Sequence, residues 1–265
     1  MKIALMDSGI GLLAAAAATR RLRPDADLLL SSDPDGMPWG PRTPADLTER
    51  ARAVARAAAA LGPDALIVAC NTASVHSLPA LRAELEPRIP VIGTVPAIKP
   101  AAAAGGRVAI WATPATTGSP YQRGLIRDFA AGARVTEVPC PGLADAVEAG
   151  DEAAIARTVA AAAELTPADV TDVVLGCTHY ELVEEAVRAA LAARTGGAEL
   201  RFYGSAEAVA VQALRRIGIE PAPELPPTGG LTVLHSGRTA ALPHAALAYA
   251  EGRLLAELER VVHQH

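Results

Sequence analysis

Short runs of apolar residues alternate along this chain with longer stretches whose apolar positions recur at helical spacing. Residues 3–6 read as a buried strand, followed by a helix over 12–22. A second strand is predicted at 27–30. The helix over 44–61 opens at Thr43-Pro44, a capping residue followed by proline at the first helical position. Residues 65–69 form a third strand that feeds a helix over 73–85, and 90–92 a fourth strand. The series restarts with a strand at 108–111, a helix over 121–129, a strand at 135–138 and helices across 143–164. A strand at 172–175 and a helix over 182–193 close it. Past residue 205 the pattern gives one helix, a proline-rich loop at 221–227 and a helical stretch from 243. Strands alternating with helices of this length predict parallel βαβ units, hence an α/β protein with its sheets covered on both faces.

The order of the elements also contains a repeat. The segment Ile3-Ala4-Leu5-Met6-Asp7-Ser8 resembles Val108-Ala109-Ile110-Trp111-Ala112-Thr113, an apolar strand ending in small polar residues. Later in each half another strand ends in a cysteine: Leu66-Ile67-Val68-Ala69-Cys70-Asn71-Thr72 and Val173-Val174-Leu175-Gly176-Cys177-Thr178-His179. Asp7 and Cys70 are 63 positions apart, Thr113 and Cys177 64. Two such matches at nearly one spacing predict two similar halves, with a boundary in the loop-like residues 96–106.

Composition narrows the class. The chain has 265 residues, 51% hydrophobic but only 3% aromatic, so the core is built from small aliphatic side chains. A net charge of −5 without a basic stripe argues against direct nucleic-acid binding. No apolar run reaches the roughly 18 residues of a membrane span. The alanine tract at 14–18 is short and ends at Thr19-Arg20-Arg21, while Asp7 and Gly9 interrupt the place where a signal peptide needs its apolar core. Three cysteines make no disulfide framework and point to a reducing compartment. The expectation is a cytoplasmic α/β protein.

The chemistry centres on Cys70 and Cys177. In open parallel sheets, ligands sit beyond the carboxyl ends of the strands, where both cysteines are predicted to lie. Small hydroxyl or amide residues follow each: Asn71 and Thr72 after the first, Thr178 after the second. Cys140, between two prolines, has no such setting and reads as structural. Zinc ligation is not indicated, because no cysteine or histidine pair has the spacing of a structural site. A cysteine hydrolase needs one thiolate and an oriented base, for which His76 or His179 would serve, but that scheme leaves the second strand-end thiol idle. Two opposed thiols suit removal of a proton from one face of a carbon and its return on the other, with no cofactor. Thiols ionise close enough to neutrality for both forms to be available.

At these residues the chain resembles the glutamate racemases of the aspartate/glutamate racemase superfamily, over residues 1–215 and more weakly to the end. The matching segments are Asp7-Ser8-Gly9; a loop from Asp33 through Pro38-Trp39-Gly40; Ala69-Cys70-Asn71-Thr72-Ala73-Ser74; residues 95–101; residues 112–116; and Leu175-Gly176-Cys177-Thr178-His179-Tyr180. The resemblance implies two pseudo-symmetric α/β domains, residues 1–96 plus 207–265 and residues 97–206, with the active site in the cleft between them. It implies that Cys70 and Cys177 are the catalytic bases, with Asp7 assisting the first and His179 the second. Ser8, Asn71, Thr72, Thr113, Thr116 and Thr178 would bind the carboxylates and ammonium of the amino acid. Pro38, Trp39 and Gly40 would add backbone contacts, and Glu148 matches a carboxylate near the site. Glutamate is the implied substrate and D-glutamate for peptidoglycan the implied product, with neither metal nor cofactor; the resemblance leaves a homodimer open. There are departures. Leu12 stands where the family has a second glycine, Glu181 where it has proline, and Gly204 precedes Ser205 where it has aspartate. Trp39 replaces a tyrosine, which would put a bulkier ring at the pocket rim. A racemase for another small or acidic amino acid, or a binding protein that lost turnover on the same fold, are the alternative readings.

Overall fold

Strand β1 (Lys2–Asp7) lies between two parallel neighbours, and every residue from Ile3 to Asp7 is buried. The computed structural model describes residues 1–262 and divides them into two units, Met1–Val95 together with the chain from Ala206 onward, and Pro96–Ser205. In the first unit a 3₁₀ turn (Ile10–Leu12) and α1 (Leu13–Leu22) follow β1, then β2 (Asp27–Ser32), α2 (Pro44–Ala59), β3 (Ala65–Val68), α3 (Asn71–His76), α4 (Leu78–Leu85) and β4 (Val91–Gly93). The second unit contains α5 (Ile98–Ala103), β5 (Arg107–Ala112), α6 (Pro120–Phe129), β6 (Arg134–Pro139), α7 (Leu143–Ala149), α8 (Glu152–Leu165), β7 (Asp172–Leu175), α9 (Thr178–Glu181), α10 (Glu184–Arg194) and β8 (Arg201–Tyr203). The chain then returns to the first unit as α11 (Ala206–Arg216), β9 (Leu231–His235), β10 (Arg238–Ala240) and α12 (Ala250–Val262).

The first sheet has the order β10-β9-β2-β1-β3-β4 and is parallel except for the β9–β10 hairpin. Ala4 and Met6 join Leu29, Leu66 and Val68 on one face, beneath Leu47, Ala51, Val54, Ala55 and Ala58 of α2. The two-residue period of the strand sends Ile3 and Leu5, also fully buried, to the other face. Burying each aliphatic side chain of this size contributes about 1.5–3 kcal/mol, so two covered faces hold β1 firmly. On α1, alanines 14–18 are all buried, and their small side chains let α11 and α12 pack closely against the helix. The second sheet, β6-β5-β7-β8, is wholly parallel.

Local signals account for most boundaries. Thr43 caps α2 by accepting the Asp46 N–H at 3.3 Å, with proline next in line as expected. The helix read over 73–85 is two helices, α3 and α4, because Pro79 has no N–H to continue the ladder across Ser77. The stretch 143–164 likewise divides at Gly150, whose φ of 65° is left-handed, and Asp151 caps α8 through the Ala154 N–H at 2.9 Å. The helix read over 182–193 is α10, and the short α9 before it had no counterpart in the pattern. β8, β9 and β10 had no counterpart in the pattern; they are short strands toward the sheet margins. Among the described residues no helix is long and apolar enough to cross a membrane.

Candidate active site

The first group of site residues gathers at the carboxyl ends of β1 and β3. These strands pair with Met6 opposite Val68, and the Ala69 N–H continues the ladder to the Met6 carbonyl at 2.8 Å. Asp7 and Cys70 therefore leave neighbouring strands one after the other. Asp7 is fully buried and Cys70 is 7% exposed. The turn carrying Cys70 is braced from below: the Val68 carbonyl accepts Thr94 Oγ1 at 2.8 Å and Ser74 Oγ at 3.3 Å, and Ser74 Oγ in turn accepts the Thr94 N–H at 2.9 Å. Cys70 itself is the extended residue before α3 (φ −143°, ψ 118°), and its side chain makes no capping bond. Asn71 is buried and Thr72 half-buried in the first turn. Ser8 Oγ lies 3.5 Å from Asp7 Oδ1, and the Ser8 carbonyl accepts the Asp33 N–H at 3.1 Å.

That last bond leads into the loop after β2. Pro38 and Gly40 are exposed, but Trp39 between them is 1% exposed and packs in the same core cluster as Cys70. Its ring is therefore buried in the core and not exposed. An indole offers a large apolar body and a single N–H, and here the Nε1 proton is accepted by Asp33 Oδ2 at 3.0 Å, so complete burial leaves nothing polar unpaired.

The second group forms around β7. Gly176 donates its N–H to the Trp111 carbonyl at 2.7 Å, and a Cβ there would stand 2.8 Å from that same oxygen, so only glycine fits. Cys177 follows in the same frame as Cys70, extended (φ −135°, ψ 136°), before α9 and without a capping bond. His179 presents Nδ1 to Cys177 Sγ at 3.9 Å, while its Nε2 lies 2.8 Å from Glu148 Oε2 on α7. In the tautomer whose Nε2 proton the carboxylate accepts, Nδ1 is the nitrogen that faces the sulfur. Glu148, read from sequence among the substrate contacts, is thus placed on the histidine. Thr113 Oγ1 donates to Thr116 Oγ1 at 3.2 Å beyond β5, and Thr178 is buried beside the cysteine.

Tyr180, fully buried, donates to the Cys140 carbonyl at 3.3 Å and ties α9 to the end of β6. Burial pushes the Cys140 thiol up to about 12, with the Cys177 charge adding to it. Cys140 stays a neutral thiol near Cys177, in keeping with a structural role. Burial, followed by the two cysteines, also raises the Tyr180 phenol. Neither tie was visible in sequence. His76 is exposed at the end of α3, away from the role of a base. Among the described residues, no three His, Cys, Asp or Glu side chains are grouped to hold a metal ion.

Each of the two α/β units presents a cysteine in the same backbone frame at a strand end, the layout of a two-domain α/β enzyme. Comparison with known proteins makes this specific. The pattern of the Asp/Glu/Hydantoin racemase family matches residues 11–213. Glutamate racemase of Pseudomonas entomophila (strain L48) is 37% identical over 221 residues, covering 82% of this chain and 81% of its own, and that of Roseiflexus sp. (strain RS-1) is 39% identical over 192, covering 71% and 70%. Among solved structures, Escherichia coli glutamate racemase in complex with L-glutamate and the activator UDP-MurNAc-ala superposes with a TM-score of 0.79 at 29% identity, over 98% of this chain and 94% of that one. The chain belongs to the Asp/Glu/Hydantoin racemase family and is an isomerase.

Proposed function

We propose that the chain is a cofactor-independent glutamate racemase in which Cys70 and Cys177 are the two bases, one contributed by each unit. The observation that carries the reading is the repeated frame: both cysteines are extended residues that follow a parallel strand, precede a helix and spend no side-chain bond on capping it. One sulfur, as thiolate, takes the α-proton. The other, as thiol, delivers a proton to the opposite face of the resulting carbanion. Each turnover therefore leaves the two sulfurs with exchanged protonation states, ready for the reverse direction. Asp7 serves the Cys70 side. His179, held by Glu148, serves the Cys177 side. Ser8, Asn71, Thr72, Thr113, Thr116 and Thr178, with the backbone at Pro38, Trp39 and Gly40, bind the carboxylates and ammonium. Short hydroxyl and amide donors of this kind suit a dianionic amino acid.

The likeness to proteins named glutamate racemase supports glutamate over another acidic amino acid. Provision of D-glutamate for peptidoglycan in the cytoplasm is the role that follows. The test is proton NMR of L- and D-glutamate with the purified protein in D₂O, followed in parallel by circular dichroism. Loss of the α-proton signal and decay of the optical signal from either enantiomer is the expected result. Absence of exchange from both, in folded protein with reduced thiols, refutes the reading.

A further inference from the structure

Ser236 is the one non-glycine residue with a left-handed backbone among the described residues, at φ 46°. It sits with Gly237, φ 79°, in the two-residue turn between β9 and β10, where Arg238 pairs with His235. A hairpin turn with both central residues at positive φ favours asparagine or glycine first, and serine there is strained. The strain accompanies a specific use of the hydroxyl. Ser236 Oγ donates to Asp33 Oδ1 at 3.2 Å and accepts the Asp35 N–H at 3.4 Å, while the Ser236 N–H donates to the Ser32 carbonyl at 2.7 Å. Arg238 closes the same junction on Asp35 Oδ2 at 2.6 Å. Asp33 is 5% exposed, and its second oxygen receives Trp39 Nε1 at 3.0 Å and Arg50 Nη1 at 3.3 Å. One carboxylate thus joins the hairpin, through Oδ1, to the ring at the middle of residues 38–40, through Oδ2.

We propose that Ser236 is a positioning residue: it fixes the Asp33 carboxylate and, through it, the Trp39-centred segment that meets a substrate carboxylate. The proposal rests on the reading of Pro38, Trp39 and Gly40 as substrate contacts. The C-terminal hairpin is then part of the substrate-binding apparatus without touching substrate, and the strained serine is retained for its hydroxyl.

Two substitutions separate this role from plain stability. Ser236→Gly accepts the backbone angle and removes the hydroxyl. It is expected to keep or raise Tm, to raise KM for glutamate about tenfold, the factor carried by one hydrogen bond to a charged group, and to leave kcat within about twofold. Ser236→Thr keeps the hydroxyl but adds a branched Cβ at the strained angle, and is expected to lower Tm with KM near wild type. Tryptophan emission gives a readout independent of turnover: Trp39 shifts to longer wavelength in Ser236→Gly, while Trp111, in the other unit, contributes equally to both spectra. Wild-type emission and wild-type KM in Ser236→Gly overturn the proposal, as does a fall in kcat with KM unchanged. An emission shift with wild-type KM retains the clamp on Trp39 and overturns the reading of residues 38–40 as substrate contacts. Emission reports on the clamp even in a protein inactive on glutamate, so the two failures are distinguishable.

Discussion

Replacing Glu148 by glutamine isolates what the second cysteine gains from its histidine. The bond to His179 Nε2 is 2.8 Å long, and the side chains are 10% and 21% exposed, so both groups are largely withdrawn from water. Glutamine preserves size and still accepts the Nε2 proton, but the bond is no longer charge-assisted. Hydrogen bonds to charged groups contribute about 1.5–3 kcal/mol, and the charge accounts for roughly half. The imidazolium that forms when Nδ1 takes a proton from Cys177 therefore loses about 1–1.5 kcal/mol of support, which slows the Cys177 step about tenfold. On the proposed two-base scheme net racemisation falls by that factor in both directions, because both directions then pass through Cys177 and the equilibrium between enantiomers is fixed. Exchange in D₂O behaves differently. The enantiomer deprotonated by Cys70 is still deprotonated; the Cys70 thiol trades the proton it has taken for solvent deuterium, and deuterium returned from that same sulfur gives exchange without inversion. The other enantiomer exchanges about tenfold more slowly. Measuring α-proton loss from L- and D-glutamate separately, with optical rotation alongside, reads this asymmetry. Equal slowing of exchange from both enantiomers, or of neither, refutes the assignment of His179 and Glu148 to the Cys177 side alone.

Other perturbations have equally specific outcomes. Cys140→Ala removes a thiol that burial holds neutral, so racemisation is expected within about twofold of wild type with a loss of stability near 1 kcal/mol, seen as an earlier urea midpoint. Ser74→Ala takes a bond from the Val68 carbonyl and an acceptor from the buried Thr94 N–H; urea unfolding should show a loss of about 1–3 kcal/mol. Asp172 is buried, which by itself raises its carboxyl, but Arg201, Thr171 and Tyr203 outweigh that and hold it below its ordinary 3.8. Its contribution to stability is therefore fully present above pH 3.8 and is lost as pH falls through the lower folded-state value. Asp172→Asn should weaken the protein at neutral pH and flatten the acid limb of a stability–pH curve, which chemical denaturation from pH 2 to 7 measures.

The fold was legible where one physical signal dominated. The strands of residues 3–6, 65–69 and, after Asp172, 172–175 are apolar runs buried on both faces, and a parallel core strand has that composition. The cysteines were legible for the same reason, since each follows such a run. Short strands were not. The three residues of β8 and of β10 are too few to show a period, and β9 follows a proline-rich loop that masks it; the Ser236-Gly237 pair was the available signal for the hairpin. Side-chain pairings were also out of reach. Sequence offered Glu148 as a carboxylate near the site, but its place on His179 depends on α7 and α9 packing together, 31 residues apart in the chain. Trp39 shows a further limit: pattern reading treats an aromatic residue in a polar loop as surface, whereas the buried Asp33 carboxylate draws the ring inward.

The two cysteines share a backbone frame but not their surroundings, and this difference has a chemical consequence. Cys70 is buried among Met6, Val68 and Ala73, near an aspartate that is itself fully buried. Cys177 is more open and faces an imidazole backed by a carboxylate. A carboxylate and an imidazole respond differently to a proton: one begins anionic and is neutralised, the other begins neutral and becomes cationic. A proton leaving Cys177 for His179 creates a thiolate–imidazolium pair, whose opposite charges support each other in a partly buried site. Stoichiometric alkylation at neutral pH should accordingly label Cys177 first, with Cys70 slow and Cys140 unlabelled in the folded protein. Labelling of Cys70 ahead of Cys177 would show that the difference in burial does not set the order.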